Sequence, residues 1–295
     1  MNLYNCDVCP RECHIDRSKK TGYCLAKDKM VVSRFSIHEW EEPVISGTKG
    51  SGTIFFSGCN LKCIFCQNYE ISSSLKGKEI DIDEFVRICL KLEEKGVHNI
   101  NIVTGTHFLP LIKEAIVKSR EKGLTIPIVY NTSGYEKVES LKEMDKLIDI
   151  YLPDFKYFDN SLAKKYSSCD NYLEVVTKAI DEMYRQVGKP IIKNGIMKKG
   201  VIVRHLLLPS HLEDSKKIIK YLYDTYKDNI YISIMNQYTP IKKHKYDNLN
   251  NKVSDTDYDE LINFALDLGV KNAFIQEGET QSQSFIPDFD IYDAT

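Results

Sequence analysis

No stretch of the 295-residue chain approaches the roughly 18 uninterrupted apolar residues that a membrane-crossing helix needs. The opening MNLYNCDVCPRECHIDR also lacks the apolar core of a secretory signal. A cytoplasmic location with no membrane partner is the resulting expectation. Charge of one sign is scarce as well: 40 lysines and arginines stand against 42 acidic residues, so no global basic field draws the chain toward nucleic acid. Internal repeats, low-complexity tracts and an obvious linker are lacking. The length suits one large domain of the α/β barrel type with a small appendage.

Cysteine, by contrast, is plentiful. Nine thiols in a chain of reducing-compartment character point to metal binding before structural disulfides. Cys6, Cys9, Cys13 and Cys24 form one group, and Cys59, Cys63 and Cys66 another. Cys89 and Cys169 fall singly in the helix-like stretches FVRICLKLEEKG and KYSSCDNYLEVV, where a buried small thiol is expected.

After residue 50, β-rich runs alternate with helical patterns. The runs are GTIFFSG, NINIVTG, IPIVYN, IDIYLPDFK, GVIVRHLLLP and NIYISIMNQY, with a weaker seventh, KNAFIQE. Their near-continuous hydrophobicity is that of parallel strands covered on both faces. Between them, IDIDEFVRICLKLEEKG opens on a capping-box pair, Asp81 and Glu84, and closes near Gly96. Helices are likewise expected in HFLPLIKEAIVKSREKG, VESLKEMDKLI, YLEVVTKAIDEMYRQVG, EDSKKIIKYLYDTYKDN and TDYDELINFALDLG. Polar residues recur at the C-terminal ends of the strands: Ser57, Thr104, Asn131, Asp154, Arg204 with His205, and Asn236 with Gln237. A barrel converges those ends on one mouth, whereas an open sheet scatters them. The expected organisation is a Cys-rich lobe over 1–30, a barrel over 50–276 and a C-terminal extension over 277–295.

The loop after the first of these strands reads GCNLKCIFCQNY and stops one ligand short of the four that a structural zinc site normally takes. Cysteine-held iron–sulfur clusters also normally take four, so three thiolates suit a cluster with one iron left open. A zinc or redox site completed by His107 or Cys89 is the competing reading. The C-x3-C-x2-C spacing, with Phe65 before the last cysteine, resembles the signature of the radical S-adenosylmethionine (radical SAM) enzymes. That resemblance implies a partial (β/α)6 barrel and a [4Fe-4S] cluster on Cys59, Cys63 and Cys66. It also implies a SAM molecule chelating the open iron and a 5'-deoxyadenosyl radical formed by reductive cleavage.

The likeness runs from residue 6 to about 240. Where that family usually has a Gly-Gly-Glu segment for the SAM amino group, this chain has VTGTHF, leaving Thr104, Gly105, Thr106, His107 or backbone carbonyls for the task. YNTSGYE is similar to the Asp-Thr-Asn-Gly segment of pyruvate formate-lyase activating enzymes, which puts Asn131 and Thr132 near SAM. DFK resembles their Asp-Leu-Lys, giving Asp154 and Lys156, and VRHLLLP places Arg204 opposite SAM's carboxylate or ribose oxygens. With CPRECHIDR and MNQYTP, these stretches are similar to the PflX-like subgroup of activase relatives.

In CDVCPRECHIDRSKKTGYC, four thiolates in C-x2-C-x3-C-x10-C spacing suit a second site holding either zinc or an auxiliary iron–sulfur cluster. The resemblance implies an electron donor such as flavodoxin or ferredoxin. For the substrate it implies a glycyl-radical enzyme, with radical modification of another peptide, a small molecule or RNA as the alternative. A non-catalytic iron–sulfur or zinc module remains the third reading.

Overall fold

The computed structural model describes residues 1–276, 281 and 287–295. Its strands are β1 (Met30–His38), β2 (Ser51–Phe56), β3 (Lys78–Ile80), β4 (Ile100–Val103), β5 (Ile128–Thr132), β6 (Ile150–Pro153), β7 (Ile191–Lys193), β8 (Ile196–Leu206), β9 (Tyr231–Met235), β10 (Ala273–Ile275) and β11 (Asp293–Ala294). The helices are α1 (Pro43–Ser46), α2 (Tyr69–Ser72), α3 (Ile82–Glu94), α4 (Leu109–Glu121), α5 (Val138–Lys142), α6 (Asn160–Ser167), α7 (Tyr172–Val187), α8 (Leu212–Tyr226) and α9 (Asp255–Leu268).

The sheet order is β10-β9-β8-β6-β5-β4-β2-β1-β11, and the pairs from β2 through to β10 are all parallel. The expected six strands are present, and the weaker seventh run joins them as β10, with its last residue, Glu277, outside the described residues. At the other end β2 pairs antiparallel with β1 rather than with β10, so the described strands form an incomplete barrel. β2, β4, β5 and β6 are buried at every position because helices cover one face and the barrel interior the other.

Helix α7 shows how sequence spacing makes that cover. Tyr172, Val176, Ala179, Ile180, Met183 and Val187 fall three or four apart and are buried, and Gly188 follows at φ +66°. In α3 the Asp81 side chain accepts from the Glu84 amide at 2.8 Å, as its capping pattern requires. Two helix readings need correction. α5 ends at Lys142, short of the stretch VESLKEMDKLI, because the chain turns at once toward β6. Cys169 is buried as expected, but it lies in the turn between α6 and α7 rather than in a helix.

Residues 1–29 hold neither helix nor strand and pack against the barrel through long side chains. Arg17 is fully buried, donating to the His107 and Lys27 carbonyls, and Arg11 donates to the Asn60 and Ser168 carbonyls at 2.8 and 2.7 Å. Of the C-terminal extension, 277–280 and 282–286 lie outside the described residues. Residues 287–295 are docked: β11 pairs with β1, Phe289 packs with Phe55, Ile71 and Val103, and Lys91 meets Asp293 at 2.5 Å. No helix among the described residues is long and apolar enough to cross a membrane.

Candidate active site

The turn after β2 carries the three cysteines directly onto the C-terminal rim. Gly58 opens it at φ +83°, where any Cβ would come within 2.4 Å of the Cys24 carbonyl oxygen. Lys62 also adopts positive φ, and the amides of Leu61 and Lys62 approach the Cys59 sulfur at 3.3 and 3.5 Å. Ser167 Oγ donates to the Cys63 sulfur at 3.0 Å. All three cysteines line a cavity of about 340 Å3 that occupies the barrel mouth and upper lumen, a volume within the range of small-molecule sites. Burial and the neighbouring Cys63 push the Cys59 thiol up to about 12 and also raise Cys66.

The opposite wall is a charged network built from successive strand ends. Arg204 donates from Nε to Asp154 Oδ1 at 2.9 Å and from Nη2 to Asn131 Oδ1 at 2.6 Å, while Lys156 Nζ lies 2.6 Å from Asp154 Oδ2. Burial alone would raise Asp154, but Arg204 and Lys156 outweigh it and hold the carboxyl below its ordinary value. Burial opposes ionisation of Lys156 too, yet Asp154 and Cys63 bring it up to about 12. Both groups are therefore charged near neutrality. Phe65 lines the same cavity, held edge-on by Tyr157, Tyr166 and Tyr238.

Thr104, Asn131, Thr132, Asp154, Lys156, Arg204 and Gln237 all face the cavity. Gly105 does not; a Cβ there would meet Ile112 and Ile102 at 2.7 and 2.8 Å, so its role is to let the chain pass close to the core. Thr106 and His107 also turn away. Thr106 Oγ1 donates to Glu136 at 2.6 Å, and His107 Nε2 lies 2.8 Å from the Ser57 carbonyl oxygen. His107 is buried rather than solvent-facing, and burial lowers its pKa to about 3. Ser57 spends its hydroxyl on the Lys76 carbonyl, and His205, one residue on from Arg204 along the strand, faces the other side and donates to the Phe155 carbonyl at 2.7 Å. Neither Asn236 nor Tyr238 lines the cavity.

Two carboxylates escaped the sequence reading. Glu41 and Glu42, between β1 and α1, line the cavity from below: Glu41 accepts from Asn101 at 3.1 Å, Asn131 at 3.3 Å and Arg204 at 3.3 Å. Burial raises Glu41 against the pull of Arg204 and pushes Glu42 up to about 7. No motif marks them; only the reversal of β1 against β2 delivers them to the lumen.

Among the described residues no three His, Cys, Asp or Glu side chains converge closely enough to hold a single metal ion. The loop thiols nevertheless fit a cluster by their chemistry. They are three soft donors on one turn, and cluster thiolates bind different irons, so they need not converge on one point. In the N-terminal segment a Cβ on Gly22 would lie 3.3 Å from the Cys13 sulfur and 3.7 Å from that of Cys24. Burial, with Cys24 and Cys6 acting in the same direction, pushes Cys9 up to about 12.

The model of the radical SAM superfamily matches residues 53–235, and the chain belongs to that family. It is an enzyme of the radical SAM oxidoreductase class, broadly related to the pyruvate formate-lyase activases. It is 31% identical over 278 residues to an uncharacterized protein of Methanocaldococcus jannaschii, covering 90% of this chain and 75% of that one. It is 25% identical over 232 residues to the pyruvate formate-lyase-activating enzyme of Clostridium pasteurianum, covering 75% of this chain and 88% of that enzyme.

Among solved structures, the [FeFe]-hydrogenase maturase HydG of Carboxydothermus hydrogenoformans matches with a TM-score of 0.53 at 14% identity, covering 80% of this chain and 55% of that one. Streptococcus suis SuiB bound to its precursor peptide SuiA matches with a TM-score of 0.51 at 15% identity, covering 75% and 47%. The chain thus spans about half the length of these solved chains, and at such identities the likeness shows the fold alone.

Proposed function

We propose that this protein cleaves SAM reductively at a [4Fe-4S] cluster held by Cys59, Cys63 and Cys66 and uses the resulting radical to abstract hydrogen from a peptide or small-molecule substrate. The observation that carries this reading is the placement of three thiols on one side of a cavity whose other side is the Asn131–Arg204–Asp154–Lys156 network. Bound there, the cluster would supply the single electron that breaks SAM into methionine and a 5'-deoxyadenosyl radical.

The chain's own contribution is orientation and exclusion of water. Arg204, clamped by Asp154 and Asn131, presents a fixed guanidinium to SAM's carboxylate or ribose oxygens. Thr104 and Thr132 line the rim, and Phe65 fills the apolar side of the loop. Cys6, Cys9, Cys13 and Cys24 form a second site for zinc or an auxiliary iron–sulfur cluster within a lobe over residues 1–30. The partial barrel over 50–276 carries the chemistry, residues 277–295 form its extension, and flavodoxin or ferredoxin serves as electron donor in the cytoplasm.

A second reading, favoured by the 25% identity to an activating enzyme, is PflX-like activation of a glycyl-radical enzyme. Anaerobic turnover with deuterated candidate substrates separates the two. Label appearing in 5'-deoxyadenosine supports the small-molecule or peptide reading. A glycyl radical seen by electron paramagnetic resonance on a partner protein supports activation instead. Absence of SAM cleavage under any of these conditions contradicts both.

A further inference from the structure

The turn between β1 and α1 touches the strand-end network through Glu41, which accepts from Asn131 and Arg204. It follows His38, which pairs with Ser51 at the start of β2, and so enters the barrel from the end opposite the cysteine loop. The length of β2 separates those two ends by roughly 17 Å. Beneath the turn, Ile45 of α1 packs with Val129, Ile150, Leu152, Met197 and Ile202 and closes that end with an apolar layer. Above it, Glu41 and Glu42 form the floor of the cavity.

Charge on this floor is out of balance. Three carboxylates line the cavity, Glu41, Glu42 and Asp154, against two cations, Lys156 and Arg204. Both cations are committed to Asp154, and the contact of Arg204 with Glu41 is longer, at 3.3 Å. Glu42 is only 8% exposed, enters no ion pair among the described residues, and its Oε2 is buried without a hydrogen-bond partner. Ionised, a carboxyl with a buried unpartnered oxygen is costly unless a cation pairs with it.

Resting on the function proposed above, we infer that Glu41 and Glu42 form the recognition site for a cationic group, an ammonium or guanidinium, on the molecule from which hydrogen is abstracted. In the function proposed above, the ammonium of SAM would lie at the other end of the cavity, toward the cysteine loop. The floor therefore reads the substrate, and a cationic end anchored there points the rest of the molecule toward the loop. Burial that holds Glu42 near 7 favours this use, because a bound cation draws its proton off and converts it to a full charge.

Calorimetry tests this on the anaerobic, cluster-loaded full chain without reductant, so that nothing turns over. The probes are n-butylammonium and n-butylguanidinium, with n-butanol and butyrate as neutral and anionic counterparts, each titrated with and without saturating SAM. The cations are expected to bind at least ten-fold more tightly than the counterparts and to keep that affinity beside SAM. Glu42→Gln should remove the preference without changing SAM affinity, and Glu42→Asp, which keeps the charge, should retain it. If Glu42→Gln does not fold, the probe series on the wild type and on Glu42→Asp decides. Equal binding of all four probes, or an intact preference in folded Glu42→Gln, overturns the inference. So does competition between n-butylammonium and SAM together with weakened SAM binding in Glu42→Gln, which assigns the floor to the SAM ammonium. Dithionite added afterwards reports SAM cleavage separately, so failure of the floor and failure of the radical chemistry give different results.

Discussion

Arg204 on β8 and Asp154 at the end of β6 share a 2.9 Å hydrogen-bonded ion pair where an isolated bridge joins the two strands beyond their regular ladder. The pair links the sheet to the cavity wall, since the same guanidinium also reaches Asn131 and Glu41.

Removing that guanidinium strips Asp154 and Glu41 of their shared cation, leaving Asp154 with Lys156 alone and Glu41 with only the Asn101 and Asn131 amides. Arg204→Ala should destabilise the fold by about 3–5 kcal/mol in denaturant unfolding. Arg204→Lys keeps the charge but loses the fork, so it should recover part of the stability while SAM affinity stays low. Stability equal to wild type in Arg204→Ala would contradict the network.

A pH effect follows from Glu136, which is buried, accepts from Thr106, Thr132 and Tyr130, and is pushed by burial from 4.5 up to about 7. Because its folded value is raised, the native state holds more protons than the unfolded chain between those limits. Its contribution is full below about pH 4.5 and is lost as pH rises through about 7; Glu42 acts with the same sign. Urea midpoints should fall across this window, and Glu136→Gln should flatten the decline. An unchanged slope in the variant would contradict the assignment.

Much of this arrangement is legible in the sequence, and what is not has a physical cause. Parallel strands are hydrophobic on both faces, so six runs and a weak seventh stand out, and the turn after the first must carry Cys59, Cys63 and Cys66 to the rim. Asn131, Asp154 and Arg204 could be placed because strand ends converge in a barrel. Strand alternation then separates Arg204 from His205, which linear proximity had grouped together. β1 was missed because MVVSRFSIH lies before the repeating pattern, and with it went Glu41 and Glu42. Their function depends on an antiparallel pairing that no local spacing announces. His107, offered by the sequence as a ligand, is buried away from the cavity with its ring on the Ser57 carbonyl, an arrangement that no local spacing announces.

Gly58 couples the N-terminal segment to the cysteine loop. Gly58→Ala combines a positive φ with a 2.4 Å approach to the Cys24 carbonyl, so the two segments must move apart. Hydrogen exchange should show loss of protection over residues 1–29 and over the loop, at a cost of about 1–3 kcal/mol. Protection unchanged in both segments would refute the contact.

Ser167 offers a probe of the loop that leaves all three cysteines in place. Its hydroxyl donates to the Cys63 sulfur at 3.0 Å, and hydrogen bonds to cluster-ligating sulfurs raise the reduction potential. Ser167→Ala should therefore lower the midpoint in a redox titration followed by electron paramagnetic resonance. A midpoint that stays put would place this hydroxyl outside the cluster's surroundings.

The most direct measurement is anaerobic reconstitution of the full chain with iron and sulfide, followed by SAM and dithionite, with 5'-deoxyadenosine and methionine quantified by chromatography. Wild-type protein should bind a [4Fe-4S] cluster and form both products, and Cys63→Ala should form neither. A wild-type protein that binds no cluster at Cys59, Cys63 and Cys66, or that binds one and leaves SAM intact, would contradict the account.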